Sequence, residues 1–147
     1  MTDATIEPAR PDDLPAILSL LARDGLPRAG IEQHLATAVV ARAGDRIVGC
    51  AAVESYGSDG LLRSVAVDPD DRGRGLGIRL TEAALSLART RGVRTLYLLT
   101  ETAAAFFPRF GFRTIGRDEV APAVRRSVEF TSACPESAQA MMAELLH

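Results

Sequence analysis

The chain has 147 residues, a formal net charge of −2 and 47% hydrophobic residues, which is typical of one soluble domain with a sizeable core. This balance gives no indication of nucleic acid or an anionic membrane as the main partner. All 17 basic residues are arginine. The missing lysine excludes a P-loop nucleotide-binding protein and a pyridoxal-phosphate enzyme, because each of these requires one.

Cysteine and histidine are rare in the chain, which contains Cys50, Cys134, His34 and His147. No pair of them has the spacing of metal ligands, so we predict no metal site. Isolated cysteines are typical of free thiols in a reducing compartment. The N-terminus lacks the apolar core of a signal peptide, and no apolar run is long enough to span a membrane. We therefore expect a cytoplasmic protein with a single domain over residues 1–147.

Hydrophobic patterning and turn signals predict the elements of the first half of the chain. Apolar residues recur on one helical face after Pro11, and Asp24-Gly25 marks the end of that helix. The predicted elements are a strand over 5–9, this first helix, a weaker helix over 29–37, a hairpin of strands over 38–42 and 47–55, and a strand over 61–67.

The strongest helix prediction in the chain covers residues 75–91. Leu76, Leu80 and Leu87 share one face of this helix, and Gly92 provides a C-terminal stop. The elements predicted after it are a buried strand over 94–100, a short helix over 102–107 that Pro108 should bend or end, a strand over 111–116 and helical character over 118–126. This order predicts an α/β fold around a mixed sheet, antiparallel first and parallel later, whose ligands bind beyond the carboxyl ends of the parallel strands.

A glycine-rich turn separates the strand over 61–67 from the strongest helix. Gly73, Gly75 and Gly77 alternate there with larger residues. Glycine lets backbone amides approach a ligand closely, and the first turn of a helix has unpaired N–H groups at the positive end of its dipole. The turn therefore predicts an anion site that suits a pyrophosphate, with a purely structural turn as the alternative.

Charge and spacing refine this prediction. Arg72 and Arg74 flank the first glycine and add positive charge, unless they simply face solvent. The spacing is Gly-x-Gly-x-Gly, with Ile78 at the position where a dinucleotide fingerprint requires glycine. This departure disfavours a Rossmann enzyme.

Two motifs resemble those of the GNAT superfamily of N-acetyltransferases. Residues 62–69, followed by Arg72-Gly73-Arg74-Gly75-Leu76-Gly77, resemble its acetyl-CoA motif, Arg/Gln-x-x-Gly-x-Gly/Ala after a strand ending in Val-x-Pro. Ala105-Phe106-Phe107 and Gly111-Phe112 resemble its second landmark, Ala-x-x-Phe-Tyr…Gly-Phe. The resemblance covers nearly the whole chain. It implies a GNAT fold with helices on both faces of the sheet, and acetyl-CoA as cosubstrate.

The resemblance also implies the cofactor-binding residues. The backbone of the strand before the turn would pair with the pantetheine arm, and the amides of residues 73–78 would hold the pyrophosphate. The thioester would lie where that strand and the strand over 94–100 separate. The residues implied in cofactor binding are Val65, Ala66, Val67, Arg72, Gly73, Arg74, Gly75, Leu76, Gly77, Ile78, Thr102 and Phe107.

Acetyl transfer to an amine requires a base, because an alkylamine with a pKa near ~10.4 is protonated at pH 7. We predict that Glu54, at the end of the hairpin strand, is this general base; a solvated surface glutamate is the alternative. Glu101 and Glu129 are further carboxylates near the expected site loops. Many family members have a tyrosine acid where Phe107 stands, so here the thiolate leaves unaided or is protonated by water or another group.

Arg63 and Ser64 precede the implied cofactor-binding strand, and an arginine there could bind a substrate carboxylate in a bidentate pair or pack on a neighbouring loop. Residues 60–65, 98–103 and 128–138 resemble a subgroup of small GNAT proteins linked to arsenic-resistance operons. The Leu-Leu-Thr-x-Thr-Ala stretch with Phe106-Phe107 is similar to the acetyltransferase domain of N-acetylglutamate synthases. Both resemblances imply a small, amino-acid-like acceptor, and an arsenical amino acid is one hypothesis.

The C-terminal segment has conflicting signals. Residues 138–146 have helical propensity, but GNAT folds end in a strand beside the one at Phe112, so we predict a strand. Cys134-Pro135 would form the turn before it, with Cys134 as a structural thiol.

We predict an acetyl-CoA-dependent N-acetyltransferase, in which the primary amine of a small, amino-acid-like substrate attacks the acetyl group directly. The alternatives are a non-catalytic acyl-CoA-binding regulatory module and a protein N-terminal acetyltransferase. We expect neither nucleic acid nor membrane as a partner, and a homodimer remains an open option.

Overall fold

The computed structural model describes residues 4–127, 129–130 and 137–145, and the described strands form one seven-stranded sheet in the order β1-β2-β3-β4-β5-β7-β6. Only β4 and β5 are parallel; the other paired neighbours are antiparallel. The strands are β1 (Thr5–Pro8), β2 (Ala38–Ala43), β3 (Arg46–Tyr56), β4 (Asp59–Val67), β5 (Thr95–Thr100), β6 (Arg113–Ile115) and β7 (Gln139–Glu144).

Three α-helices and several 3-10 helices connect the described strands. The α-helices are α1 (Leu14–Arg23), α2 (Leu76–Thr90) and α3 (Pro122–Arg125). The 3-10 helices cover Pro11–Asp13, Ile31–Thr37, Pro69–Asp71, Phe107–Phe110 and Arg117–Glu119. Within the described ranges, no helix combines the length and the hydropathy needed to cross a bilayer.

The two long helices cover opposite faces of the sheet. Successive residues of a strand point to opposite faces. Accordingly, Ala51 of β3 packs in one cluster with Leu80 of α2, while Cys50 and Ala52 pack in another with Leu21 of α1. The predicted mixed sheet, antiparallel in its first half and with helices on both faces, is therefore confirmed. The parallel part is shorter than predicted and is limited to β4 and β5, because β7 runs antiparallel to both β5 and β6.

The structure confirms the predicted C-terminal strand. β7 lies between β5 and β6 and pairs with both. Its residues Ala140 and Met141 are buried, so hydrogen bonds on two sides and burial outweigh helical propensity. Cys134 and His147 lie outside the described residues.

The predicted helix over 102–107 is wrong. A 3-10 helix starts only at Phe107 and ends before Gly111, which has φ of 92°. Pro108 lies at the start of this helix, where its missing N–H costs nothing. The predicted weak helix over 29–37 is also a 3-10 segment, and it is interrupted at His34, whose backbone is non-helical.

One extra residue in β4 disturbs its pairing with β3. Ala52 pairs with Arg63 and Cys50 with Ala66, so two residues of β4 lie opposite one residue of β3. This arrangement is a β-bulge, which bends the strand that carries it.

The bulge places Ser64 in a strained conformation. Its φ of 62° lies in the left-handed region, which costs a residue with a side chain about 1–3 kcal/mol. The buried Cys50 thiol donates a hydrogen bond to the Ser64 carbonyl oxygen over 3.1 Å. Burial raises the pKa of this thiol to about 12, so Cys50 stays protonated and keeps this donor.

The parallel pairing of β4 with β5 is short. It joins residues 59–61 of β4 to residues 95–97 of β5. Beyond Leu61, the bent β4 has no described strand partner on this side. The rest of β5 continues its pairing with β7.

Replacing Leu80 by alanine tests the importance of the face between α2 and the sheet. Leu80 is fully buried, whereas Leu87 on the same helix is only partly buried. We expect Leu80→Ala to lower the free energy of unfolding by about 2–5 kcal/mol, as measured by urea denaturation. Leu87→Ala is the matched control and should cost clearly less; equal losses would contradict the packing described here.

Candidate active site

A cavity of about 380 Å³ opens where β4 and β5 separate. It is lined by the loop Gly25–Arg28 after α1, residues 62–65 of β4, residues 98–103 of β5 and its following loop, and the single residues Phe107, Glu129 and Ala138. We call the loop Gly25–Arg28 the acceptor loop. The cavity lies at the carboxyl end of the parallel pair, as expected for this kind of sheet.

The predicted cofactor strand lies at the edge of this opening. Val65 lines the cavity. Ala66 is buried against α1, whereas Val65 and Val67 pack partly against the α2 side. No described strand pairs with residues 65–67 on the side of the opening, so this backbone edge can take an extended ligand, although the Val67 carbonyl oxygen already accepts a hydrogen bond from Arg72.

The glycine-rich turn leads into the first turn of α2. Gly75 is the N-cap residue, with φ of 76° and no side-chain hydrogen bond to the helix N-terminus. A Cβ built on Gly73 or Gly75 would meet no atom within 4 Å. This open space, together with the N–H donors of the first turn of a 15-residue helix, fits a pyrophosphate group.

The other residues of the turn differ in what they can offer. The Leu76 side chain is buried in the core, so only its amide can reach a ligand. Gly77 packs against the Phe106 ring, since a Cβ there would lie 3.5 Å from that ring. Ile78 is half-buried.

Both arginines of the turn form ion pairs. The Arg72 guanidinium contacts Asp24 over 2.7 Å and donates from Nε to the Val67 carbonyl oxygen over 3.3 Å. Arg74 lies 3.7 Å from Asp71. Both arginine side chains are about half exposed, which leaves part of each guanidinium open to an anion.

Phe107 and Thr102 both line the cavity. The Phe107 ring packs against Phe112, with centroids 5.8 Å apart, and offers no acidic proton. The two tyrosines, Tyr56 and Tyr97, do not replace it at the cavity wall.

A buried arginine between two carboxylates forms one wall of the cavity. The Arg63 side chain has no exposed area; its Nη1 lies 2.8 Å from Glu54 and its Nε lies 3.2 Å from Glu129. Its remaining hydrogen bonds reach the Pro27 carbonyl oxygen and the Ser64 hydroxyl, each at 3.2 Å. Arg63 is thus largely committed to protein groups, so the predicted bidentate pair with a substrate carboxylate stays a prediction.

Glu54 is held ionised within this buried cluster. Burial alone would raise its pKa, but hydrogen bonds from Tyr56 and Arg63 outweigh burial and lower the pKa below its usual range. Glu54 is 1% exposed and does not line the cavity, unlike Glu129 and Glu101. Its predicted role as general base stays a prediction, and its contacts suit a residue that orients Arg63.

The neighbours of Glu54 are themselves shifted in pKa. Burial and the hydrogen bond to Glu54 raise the pKa of Tyr56 to about 12. His34 Nε2 lies 3.7 Å from Glu54, and burial lowers the pKa of this imidazole. Tyr56 and His34 are therefore neutral near pH 7.

Sequence reasoning missed Arg28. This exposed residue ends the acceptor loop and lines the cavity, and it has no ion pair with a described residue. The sequence signal that could have identified Arg28 is its place in the loop that directly follows the end of the predicted helix at Asp24-Gly25. In the described ranges, no group of His, Cys, Asp and Glu side chains could hold a metal ion.

The chain belongs to the GNAT acetyltransferase family. A family model described as an acetyltransferase (GNAT) domain matches residues 34–114. The predicted fold, the N-acetyltransferase class and acetyl-CoA as cosubstrate are thus confirmed at the level of the family.

Curated relatives include amino-acid acetyltransferases. One from Neisseria meningitidis is 28% identical over 131 residues, which cover 83% of this chain and 30% of that protein. One from Pseudomonas putida is 38% identical over 114 residues, which cover 76% of this chain and 25% of that protein. The chain therefore spans about a quarter to a third of the length of these relatives.

Solved structures show the same fold. Rv2747 from Mycobacterium tuberculosis, in complex with CoA, has a TM-score of 0.81 and 26% identity, with 97% of this chain and 99% of that chain covered. N-acetylglutamate synthase from Neisseria gonorrhoeae, complexed with coenzyme A and N-acetyl-glutamate, has a TM-score of 0.83 and 23% identity, with 100% of this chain and 36% of that chain covered.

Replacing Arg63 by methionine tests the buried cluster. The substitution leaves two buried carboxylates without this partner, which costs about 3–5 kcal/mol of unfolding free energy at pH 7.5. Glu54 stabilises the fold above its unfolded pKa because its folded pKa is lowered. Without the hydrogen bond from Arg63, the folded pKa of Glu54 would rise above its wild-type value, and protonation would relieve part of the cost as pH falls.

Urea denaturation at pH 7.5 and pH 5 measures this effect. The deficit of Arg63→Met relative to wild type should be smaller at pH 5. Arg89→Met, on the exposed side of α2, is the control and should cost little at either pH. A deficit for Arg63→Met that does not change with pH would contradict the described charge cluster.

Proposed function

We propose that this protein transfers the acetyl group of acetyl-CoA to the amine of a small amino acid. The observation that carries this proposal is the cavity between β4 and β5, because its wall combines an exposed arginine, Arg28, with the carboxylates Glu101 and Glu129. The carboxylate of an amino acid can pair with the arginine, and its ammonium group can pair with one of the glutamates.

The cofactor would follow β4 and end at α2. The open edge of residues 65–67 suits the amide groups of the pantetheine arm, and the uncapped first turn of α2 suits the pyrophosphate. Arg72 and Arg74 add positive charge beside it. When bound, acetyl-CoA supplies an acetyl group already activated as a thioester. The complex of Rv2747 with CoA supports this assignment.

We assign the acceptor carboxylate to Arg28. Arg28 is exposed and lines the cavity, whereas Arg63 is already paired with two glutamates. A bidentate contact with a carboxylate would fix the orientation of the acceptor. Arg63 and Ser64 remain proposed substrate contacts, because both line the cavity in which the acceptor would bind.

We assign the acceptor amine to Glu129. This residue is 3% exposed and lines the cavity, and Arg63 Nε holds one of its carboxylate oxygens. A carboxylate at the wall attracts the ammonium group and accepts its proton, directly or through water. Glu54 would then act indirectly, because it holds Arg63 and Arg63 in turn holds Glu129.

The chain provides no phenol for the departing thiolate. Phe107 carries no hydroxyl, and the Tyr56 hydroxyl donates its hydrogen bond to Glu54. We propose that the thiolate leaves unaided or takes a proton from water.

Several finer predictions rest on the sequence alone. They are membership of the arsenic-resistance-associated subgroup, an arsenical amino acid as acceptor, a cytoplasmic location, a single domain over 1–147 and a homodimer. The names of the amino-acid acetyltransferase relatives support an amino acid as the acceptor class.

Turnover of acetyl-CoA with a panel of amino acids, their decarboxylated amines and short peptides tests the proposal. We expect turnover with amino acids and little with the decarboxylated amines. Arg28→Ala should raise the KM for the amino acid about 10-fold or more, because it removes a charged hydrogen bond, and should leave the KM for acetyl-CoA nearly unchanged.

Arg89→Ala is the matched control, since it removes an exposed arginine from the solvent side of α2. Preference for peptides would indicate a protein N-terminal acetyltransferase instead. Tight binding of acetyl-CoA with no turnover of any amine would indicate a regulatory binding module.

A further inference from the structure

Two ion pairs of opposite polarity join the end of α1 to the turn before α2. Arg23 contacts Asp68 over 2.8 Å, and its neighbour Asp24 contacts Arg72 over 2.7 Å. Thus α1 contributes a cation and then an anion, and the turn contributes an anion and then a cation. This reciprocal order fixes one register between the two segments.

Asp24 is the C-cap residue of α1 and directly precedes the acceptor loop. The amide of Gly25 donates to the Ala22 carbonyl oxygen and the amide of Leu26 donates to the Leu21 carbonyl oxygen, which is a Schellman cap. Gly25 has φ of 66°, as this cap requires. Because these hydrogen bonds join Gly25 and Leu26 to the last turn of α1, the position of Asp24 sets the direction in which the loop leaves α1.

Arg72 is anchored at the cofactor side. Its Nε donates to the Val67 carbonyl oxygen and its Nη2 donates to Asp24. The guanidinium has a further nitrogen, Nη1, and its side chain is 56% exposed. It can therefore bind a phosphate oxygen and Asp24 together, since an arginine offers five N–H donors.

We infer that Asp24 is a positioning residue. Through Arg72, it makes the position of the acceptor loop depend on whether the cofactor occupies the glycine-rich turn. This inference rests on the proposed function, because it requires an anionic cofactor at the turn. A phosphate beside Arg72 restricts this side chain, which in turn restricts Asp24 and the loop that carries Arg28. The Pro27 carbonyl, held by Arg63, fixes the other part of the loop.

Hydrogen–deuterium exchange of the acceptor loop, with and without saturating coenzyme A, tests this inference without requiring turnover. In wild type, coenzyme A should slow exchange of the amides of Gly25, Leu26 and Arg28. In Asp24→Asn, this slowing should shrink by roughly 2- to 5-fold, the range expected for a partly exposed ion pair. In turnover assays, the acceptor KM should rise by a similar factor.

Asp12→Asn is the matched control, because it makes the same change of charge at an exposed position just before α1. It should retain the wild-type response. Should Asp24→Asn fail to fold, wild type in 0.5 M NaCl provides the second measurement, since salt screens the pair and should weaken the response at saturating coenzyme A.

The possible failures are distinguishable. Coenzyme A that binds wild type without slowing exchange of the loop overturns the inference and leaves the proposed function intact. An equal response in Asp24→Asn and wild type does the same. Failure of coenzyme A to bind wild type overturns the proposed function and the inference with it.

Discussion

The short parallel pairing of β4 with β5 is the constraint on which the rest of the structure depends. The two strands pair only over residues 59–61 and 95–97, because the bulge at Ser64 bends β4 away. Their separation creates the cavity and exposes the edge of residues 65–67. The same strand then leads into the glycine-rich turn, so one backbone irregularity sets the position of the proposed acceptor cavity relative to the proposed phosphate site.

The buried Arg63 allows two carboxylates to stay charged inside the fold. Its guanidinium lies between Glu54 and Glu129, so neither carboxylate is left without a cation in a region of low dielectric. The cluster keeps Glu129 ionised at the cavity wall, where the carboxylate can accept hydrogen bonds from the proposed amine. It also reaches the acceptor loop through the Pro27 carbonyl oxygen. Under the proposed function, stability and acceptor binding therefore depend on the same arginine.

Local patterns predicted the parts of the molecule that local physics determines. The 3.6-residue period of the apolar residues predicted α2, and the glycines predicted its open first turn. The anion site there followed from the backbone N–H groups that such a turn leaves accessible. β7 required the family resemblance, since its pairing with β5 and β6 opposes its helical propensity. The partnership of Arg63 with Glu129 joins residues far apart in the sequence. The burial of Glu54 and the exposure of Arg28 likewise depend on tertiary packing, which no spacing reveals.

Binding of coenzyme A at the first turn of α2 is the central claim, and calorimetric titration of Gly75→Glu tests it most directly. Gly75 and Gly92 lie at opposite ends of α2, both with positive φ and open space around a Cβ. The 15-residue helix between them is about 22 Å long. Both glutamate variants should lose similar stability. Gly75→Glu should abolish coenzyme A binding because it places a carboxylate in the pyrophosphate site, whereas Gly92→Glu should retain wild-type affinity. Unchanged affinity in Gly75→Glu, or equal losses in the two variants, would contradict the account.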